Sequence, residues 1–299
     1  MRRSLQALLV VSCALAPSLV CAHDDASALA QEVERLVAAL AADARADRLS
    51  AQEALLALPA AADALLEAAV SPPGFEPRTA LDYVRTHRPR APRPVVVPAG
   101  TYKVGSGAPV DQNPAHEVSL ATFRIDDVEV TCFEWWRFVR ASGTPPPPGW
   151  VGGRYRYGGE SLPVGDVSPE EAEQFAKWTG GRLPTADEWE VAAHGGSPRA
   201  YPWGDDFEGH FNGMLLRRGL SIGEPPEVAS VDDDRSPFGG FDFCGSLMEW
   251  VRLPDGRIAA RGGYFTAGNR DFYRLTRAPD ARLTRRRAVV GLRVVDRKK

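Results

Sequence analysis

Thiols and imidazoles are the side chains best suited to soft-metal ligation, nucleophilic attack and proton transfer near neutral pH. This chain has few of them: four Cys and five His in 299 residues. Cys13 and Cys21 lie near the start. Cys132 and Cys244 lie in VEVTCFEWW and FDFCGSLMEW, and no cysteine follows Cys244. Both segments are hydrophobic, so a disulfide and two separate buried thiols are open readings. Two cysteines do not make a disulfide scaffold, so a packed core must hold the fold. His23, His87, His116, His194 and His210 show no H-x-x-x-H spacing. The one His-x-Asp joins His23 to Asp25, close to the start. His194 falls where a helix should end and can answer its dipole. His116 and His210 could converge on iron or copper only through the fold.

Charged side chains are more plentiful. Glu188 and Glu190 follow Leu183-Pro184-Thr185, where capping and ion pairing are the ordinary roles. Arg282, Arg285, Arg286 and Arg287 crowd one short segment, which reads as a solvated or internally paired loop, or as an anion site. The formal charge is -3. Without Arg2 and Arg3 it falls to about -5, with 34 basic against 39 acidic side chains. No sustained positive field is available for nucleic acid.

The elements that must position these groups follow from pattern. Arg2 and Arg3 precede an apolar run from Ala7 to Leu15, and Val20-Cys21-Ala22 offers small residues at a cleavage point. Residues 1–22 read as a secretory signal peptide, which implies an exported, periplasmic or extracellular chain. The run is too short to span a bilayer comfortably, and no later segment is long enough, so the mature chain carries no expected transmembrane segment. Residues 23–70 are rich in Ala and Leu. Leu29, Val33, Leu36, Val37 and Leu40 recur at helical spacing, and Leu55, Leu56, Leu65 and Leu66 suggest a second helix, interrupted near Leu58-Pro59. This helical segment can pack on the main domain or on a protein partner. Residues 71–94, with PPGFEP and HRPRAPRP, read as a Pro/Arg-rich linker.

Residues 95–299 form one domain, long enough for a substantial core. VVVPAGTYKVGS predicts strand, turn, strand, and HEVSLATFRIDDVEVT predicts two more strands. Phe133 to Val139 reads as a helix. Pro145 to Pro148 and the glycines through Gly159 read as an irregular insertion. Ser168-Pro169-Glu170-Glu171 is a helix start with a capping box, ended by Gly180-Gly181. Thr185 caps a further helix, with Glu188 three residues on and Trp189 facing inward.

VVVPAGTYKVGS, HEVSLATFRIDDVEVTCFEWWRFV, GRLPTADEWEVAAHGG, YPWGD, FGGFDFCGSLMEWV, RGGYF and VGLRVV occur in that order. Together they resemble the formylglycine-generating enzyme family, the sulfatase-modifying factor domain, across Val95 to Val295. The resemblance implies an α+β class: a loop-rich fold related to the C-type lectin fold, here preceded by the Ala-rich helical segment. Enzymes of that family oxidise a sulfatase cysteine with oxygen and copper held by two cysteines shortly after the Gly-Gly segment. Those positions fall here at Ala267 and Phe272, which cannot ligate Cu(I). Copper is therefore not expected, nor is formylglycine synthesis. The family's calcium-type site maps to Asp242, Gly245, Leu247 and Glu249, as two acids and two carbonyls, and calcium suits such hard oxygens. Asn212, after YPWGD, falls where the family has a second calcium ligand. Some relatives bind iron through His from another domain.

In the segment where relatives place catalysis, this chain offers Asn269, Arg270, Tyr273 and Arg274. Arg can hold a carboxylate or sulfate through two parallel hydrogen bonds. The expectation is an exported binding or accessory protein for a peptide or small anionic ligand. The alternative is an oxidoreductase or maturation enzyme of the same superfamily working through a site without cysteine.

Overall fold

The computed structural model describes residues 17–42, 44–58, 60–70, 74–89, 92–207, 224–267 and 269–298. The chain divides into two compact units, Met1–Arg88 and Pro89–Lys299.

The first unit is helical. Helix α1 spans Pro17–Ala39, α2 Arg45–Leu56, α3 Asp63–Ala68 and α4 Phe75–His87. Val33, Leu36, Val37 and Leu40 are buried, as their helical spacing requires, against a core that includes Leu55, Leu56, Leu66, Leu81 and Val84. The leucine pairs at 55–56 and 65–66 fall on two helices, with a 3-10 turn at Ala60–Ala62 between them. Helix α4 corrects the linker reading of residues 71–94. Pro77 sits in its first turn, where a missing N–H costs nothing. Leu81 and Val84 then bury one face. Arg85 ties α4 to the end of α3, donating from Nε to the Leu66 carbonyl at 3.0 Å and from Nη2 to the Ala69 carbonyl at 2.6 Å. Arg88 pairs with Asp63 at 2.8 Å. The arginines that suggested a solvated linker instead close orphan helix carbonyls. No helix among the described residues is long and apolar enough to cross a membrane.

Among its described residues the second unit mixes short strands, three α-helices and long loops. Strand β1 (Pro94–Val97) pairs antiparallel with β4 (Phe123–Asp126), and β2 (Gly100–Val104) with β3 (His116–Leu120). Strand β5 (Met248–Arg252) is central in a third sheet. It lies antiparallel to β6 (Ile258–Arg261) and parallel to the two-residue β7 (Val290–Gly291). Helix α5 spans Cys132–Ser142, α6 Pro169–Trp178 and α7 Ala186–His194. Each opens on a reciprocal capping box: Thr131 with Glu134, Ser168 with Glu171, and Thr185 with Glu188. Two of these were legible in the sequence, and each satisfies two orphan donors.

The main core gathers Val95, Val97, Phe123 and Ile125 from the β1–β4 pair. Trp189 and Val191 of α7 pack with them, as do Phe243, Val251, Tyr273 and Leu275. Trp135, Phe138, Phe175 and Trp178 pack together between α5 and α6, with the Trp135 and Phe175 rings stacked. The Gly262-Gly263 turn lies against this core. Gly262 has φ 84°, and a Cβ there would come within 3.2 Å of the Trp189 ring. A Cβ on Gly263 would reach 2.7 Å from the Tyr273 ring. Only glycine allows that left-handed turn and that approach, and together they fix where the chain after residue 263 begins.

Candidate functional site

The predicted calcium residues converge on a fully buried electrostatic cluster. Asp242 has φ 64° and is 0% exposed, and its carboxylate accepts from the Ala229 N–H. Gly245 also takes a positive φ, 88°, so the chain between Asp242 and Glu249 curls as expected. Glu249, at the start of β5, is already engaged. Its Oε2 accepts from Trp189 Nε1 at 2.9 Å and from Arg293 Nε at 2.7 Å, and its Oε1 accepts from Arg293 Nη2 at 2.7 Å. Leu247 donates its N–H to Glu129 at 3.0 Å, and Ser246 donates its hydroxyl to the same carboxylate at 2.6 Å. Burial first, then the charges of Asp242 and Glu249, push the Glu129 carboxyl well above the usual range. Arg293 is the guanidinium of this cluster, lying 3.8 Å from the Phe243 ring centroid.

Glu129 and Arg293 were not singled out from the sequence. Their signal was there: each is a lone charge in an apolar run, VEV and GLRVV. A charge flanked by buried apolar residues must be paired. Asn212 lies outside the described residues. No group of three or more His, Cys, Asp or Glu side chains among the described residues is arranged to hold a metal ion. With burial holding the Glu129 carboxyl neutral, Asp242 and Glu249 against Arg293 leave one net negative charge in a water-poor place, and buried charge demands compensation.

A second network holds the segment after Gly263. Arg261, 2% exposed, donates to Glu190 at 2.6 Å, to the Leu275 carbonyl at 3.0 Å and to the Arg277 carbonyl at 3.0 Å. Glu190 also accepts from the Gly105 N–H and from Asn113 Nδ2. Glu190 is thus an internal anchor rather than a solvent-facing acid.

The four residues expected to share a cleft take different roles. Asn269 is exposed and caps a 3-10 turn, Arg270–Tyr273, by accepting from the Asp271 N–H at 2.9 Å. Arg270 is exposed on that turn. Tyr273 is buried, and its hydroxyl donates to the Ala267 carbonyl at 2.8 Å. Arg274 forms a two-point pair with buried Asp111, at 2.6 and 3.0 Å, and Ser106 and Thr276 also donate to that carboxylate. The turn therefore spends Tyr273 and Arg274 on its own structure. The open cleft beside it is lined instead by Asp111, Gln112 and residues 277–282, and has a volume of about 310 Å³. Arg277 and Arg282 are its cations, and neither Asp111 nor Arg277 was legible as part of it.

Ala267 packs against the main core. Phe272 meets the Tyr264 ring edge-on at 6.1 Å, and the Arg277 guanidinium carbon lies 4.2 Å from its ring centroid. The two remaining described thiols are separate and buried. Cys132 Sγ faces the Pro163 carbonyl and Cys244 Sγ faces the Tyr273 carbonyl. Burial pushes the Cys132 thiol up to about 12, so it is no nucleophile at neutral pH.

Among the described histidines, His87 stacks on Tyr83 at 4.2 Å in α4. His116 is half exposed, 3.9 Å from Asp187. His194 is fully buried, and its Nδ1 accepts from the Gly196 N–H at 3.1 Å. Burial, seconded by Arg261, lowers His194 to about 4. A neutral folded imidazole that charges only when unfolded contributes full stability above pH 6.5 and loses it as pH falls toward 4. We expect this one group to cost on the order of 2 kcal/mol between pH 7 and pH 4. Urea unfolding of wild type and His194→Gln across that range checks it: the variant's stability should fall less steeply. Parallel slopes would refute the assignment.

Comparison with known proteins places the second unit. The sulfatase-modifying factor enzyme 1-like domain matches residues 80–298. Hercynine oxygenase of Mycolicibacterium smegmatis is 30% identical over 196 residues, covering 54% of this chain and 45% of that protein. The chain therefore spans less than half the length of that relative. Formylglycine-generating enzyme of Streptomyces coelicolor is 31% identical over 221 residues, covering 54% of this chain and 69% of that protein. Inactive C-alpha-formylglycine-generating enzyme 2 of Mus musculus is 28% identical over 218 residues, covering 54% and 68%. Among solved structures, Treponema denticola variable protein 1 superposes with a TM-score of 0.53 at 20% identity, over 69% of this chain and 95% of that one. That likeness is one of fold.

Proposed function

The chain belongs to the sulfatase-modifying factor enzyme 1-like family, and from that premise we propose that it is a binding or accessory member that makes no formylglycine. The observation that carries this reading is at Ala267 and Phe272, where the family resemblance places the copper thiolates. A methyl group and a phenyl ring offer no ligand to Cu(I) and no thiol to exchange. Phe272 supports an arginine instead. Cys132 and Cys244 are committed to the interior and supply no substitute. A polar cleft persists beside the turn, so the site retains the means to bind after losing the means to oxidise. The ligand is a peptide or small anion, and the protein works outside the cytoplasm. The basic start, apolar run and small-residue cleavage point of residues 1–22 support export.

The experiment is direct. A sulfatase peptide carrying the target cysteine is incubated with the protein, copper, reductant and oxygen, and its mass is followed. We expect it unchanged. Conversion of the cysteine to an aldehyde would overturn the reading.

Calcium belongs to the same proposal. Asp242 and Glu249, with the carbonyls of Gly245 and Leu247, would hold it. It would offset the negative charge of the cluster and stiffen the loop before β5. A ligand bound only by the folded state stabilises by about 2.7 kcal/mol at one hundred times its Kd. Added calcium should therefore raise the melting temperature by several degrees, about 2–4 °C per kcal/mol for a chain of this size, and a chelator should reverse it. Melting that ignores both would remove calcium from the account.

A further inference from the structure

The cleft beside the Arg270–Tyr273 turn has a simple charge balance. Asp111 is one of its walls, and both carboxylate oxygens are answered by Arg274, with Ser106 and Thr276 also donating. Asp280 is another. Arg282 holds both of its oxygens, from Nε at 2.9 Å and Nη2 at 3.0 Å, and the Arg282 N–H adds a third bond. These two pairs neutralise themselves. Arg277 also lines the cleft, and among the described residues its guanidinium makes no ion pair or side-chain hydrogen bond. It stays within electrostatic reach of Asp280, but the oxygens of that acid are taken.

Arg277 is nonetheless held in place. Its N–H donates to the Arg274 carbonyl at 3.2 Å, and its carbonyl accepts from buried Arg261 at 3.0 Å. The next residue, Ala278, donates to the Asp111 carbonyl at 2.7 Å. The guanidinium itself rests on the Phe272 face, 4.2 Å from its centroid. A guanidinium held over a ring keeps N–H groups for a ligand, and a cation fixed this way loses less freedom on binding. Phe272 therefore has a use at a position where the family resemblance places a thiol.

We infer that Arg277, seated on Phe272, is the specificity-determining residue of the cleft and that it takes a carboxylate or phosphate group of the ligand through its N–H edge. This deepens the binding reading by naming the ligand chemistry. A volume of about 310 Å³ is at the small end of ligand sites, which suits a small molecule or one anionic end of a longer chain.

The test uses the full chain labelled with nitrogen-15 and follows the arginine Nε–Hε resonances. Acetate and inorganic phosphate are titrated separately against sodium chloride at matched ionic strength. We expect the Arg277 resonance to shift saturably with at least one anion, and the tighter one identifies the group. Arg277→Gln should weaken that response at least tenfold, Arg277→Lys should recover only part of it, and Phe272→Leu should weaken it without removing the charge. Arg287→Gln, which deletes an exposed charge that does not line the cleft, should bind within twofold of wild type. Circular dichroism confirms that each variant is folded. No saturable shift with either anion would overturn the inference, as would equal losses in Arg277→Gln and Arg287→Gln. A protein that makes no aldehyde and binds neither anion would lose this inference and keep the reading that it does not oxidise cysteine.

Discussion

Replacing Arg293 with Met is expected to destabilise the second unit by about 3–5 kcal/mol, because it strands buried carboxylates rather than merely deleting a contact. Arg293 is fully buried, and its guanidinium serves four acceptors: both oxygens of Glu249, the Asp126 carbonyl at 3.1 Å and the Phe241 carbonyl at 2.9 Å. In a unit of this size the loss corresponds to roughly 10 °C in melting temperature. The deficit should depend on pH with a definite sign. Arg293 is what opposes the rise of Glu129, together with the Ser246 hydroxyl. Without it, the Glu129 carboxyl moves further above its unfolded value. A raised carboxyl contributes stability below the unfolded pKa and loses it as pH rises through the folded one. The variant should therefore approach wild type near pH 4 and fall furthest behind above pH 7. Guanidinium melts at three pH values decide the matter. A deficit that does not vary with pH would mean that lost packing on Phe243, not charge, sets the cost.

The second large effect is expected at Glu190. Glu190→Ala removes the carboxylate partner of Arg261, leaves the Gly105 N–H without its acceptor and takes one of two acceptors from Asn113 Nδ2. Breaking a buried pair from one side again costs about 3–5 kcal/mol. Arg261→Met should cost as much, and it also frees the carbonyls of Leu275 and Arg277. The two losses should not add. In a double-mutant cycle, groups of one network couple by roughly 0.5–3 kcal/mol, and the double variant should recover part of the summed penalty. Strict additivity would show that the two residues act independently. Arg261→Met carries a second expectation: the Arg277 resonance should broaden or move even where the unit stays folded, because one of its backbone anchors is gone.

Much of the fold was legible because its signals are local. The capping boxes at Ser168 and Thr185, the glycines that end α6, and the Val-rich strands around residue 97 all act within a few residues. Helix α4 was missed for an instructive reason. Pro and Arg usually mark solvated chain. Here Pro77 occupies the tolerated first turn, and Arg85 and Arg88 reach carbonyls or acids 16 to 33 positions away. No local pattern encodes such partners.

The sequence by itself determined the family, through ordered motifs across residues 95–295, and it shows no cysteine after Cys244, on which the proposal that the chain makes no formylglycine rests. It also placed Asp242 and Glu249 around a glycine-containing curl. Only the tertiary structure decided what the charges do. Arg274 and Glu190 have the same side chains whether solvated, catalytic or buried, and the fold spends both on internal pairs. Arg277 looks no different from Arg274 in the sequence, yet the fold leaves it on the wall of a cleft. A charge is assigned by what lies within a few ångströms of it, and for Arg274 that partner, Asp111, is 163 positions away along the chain.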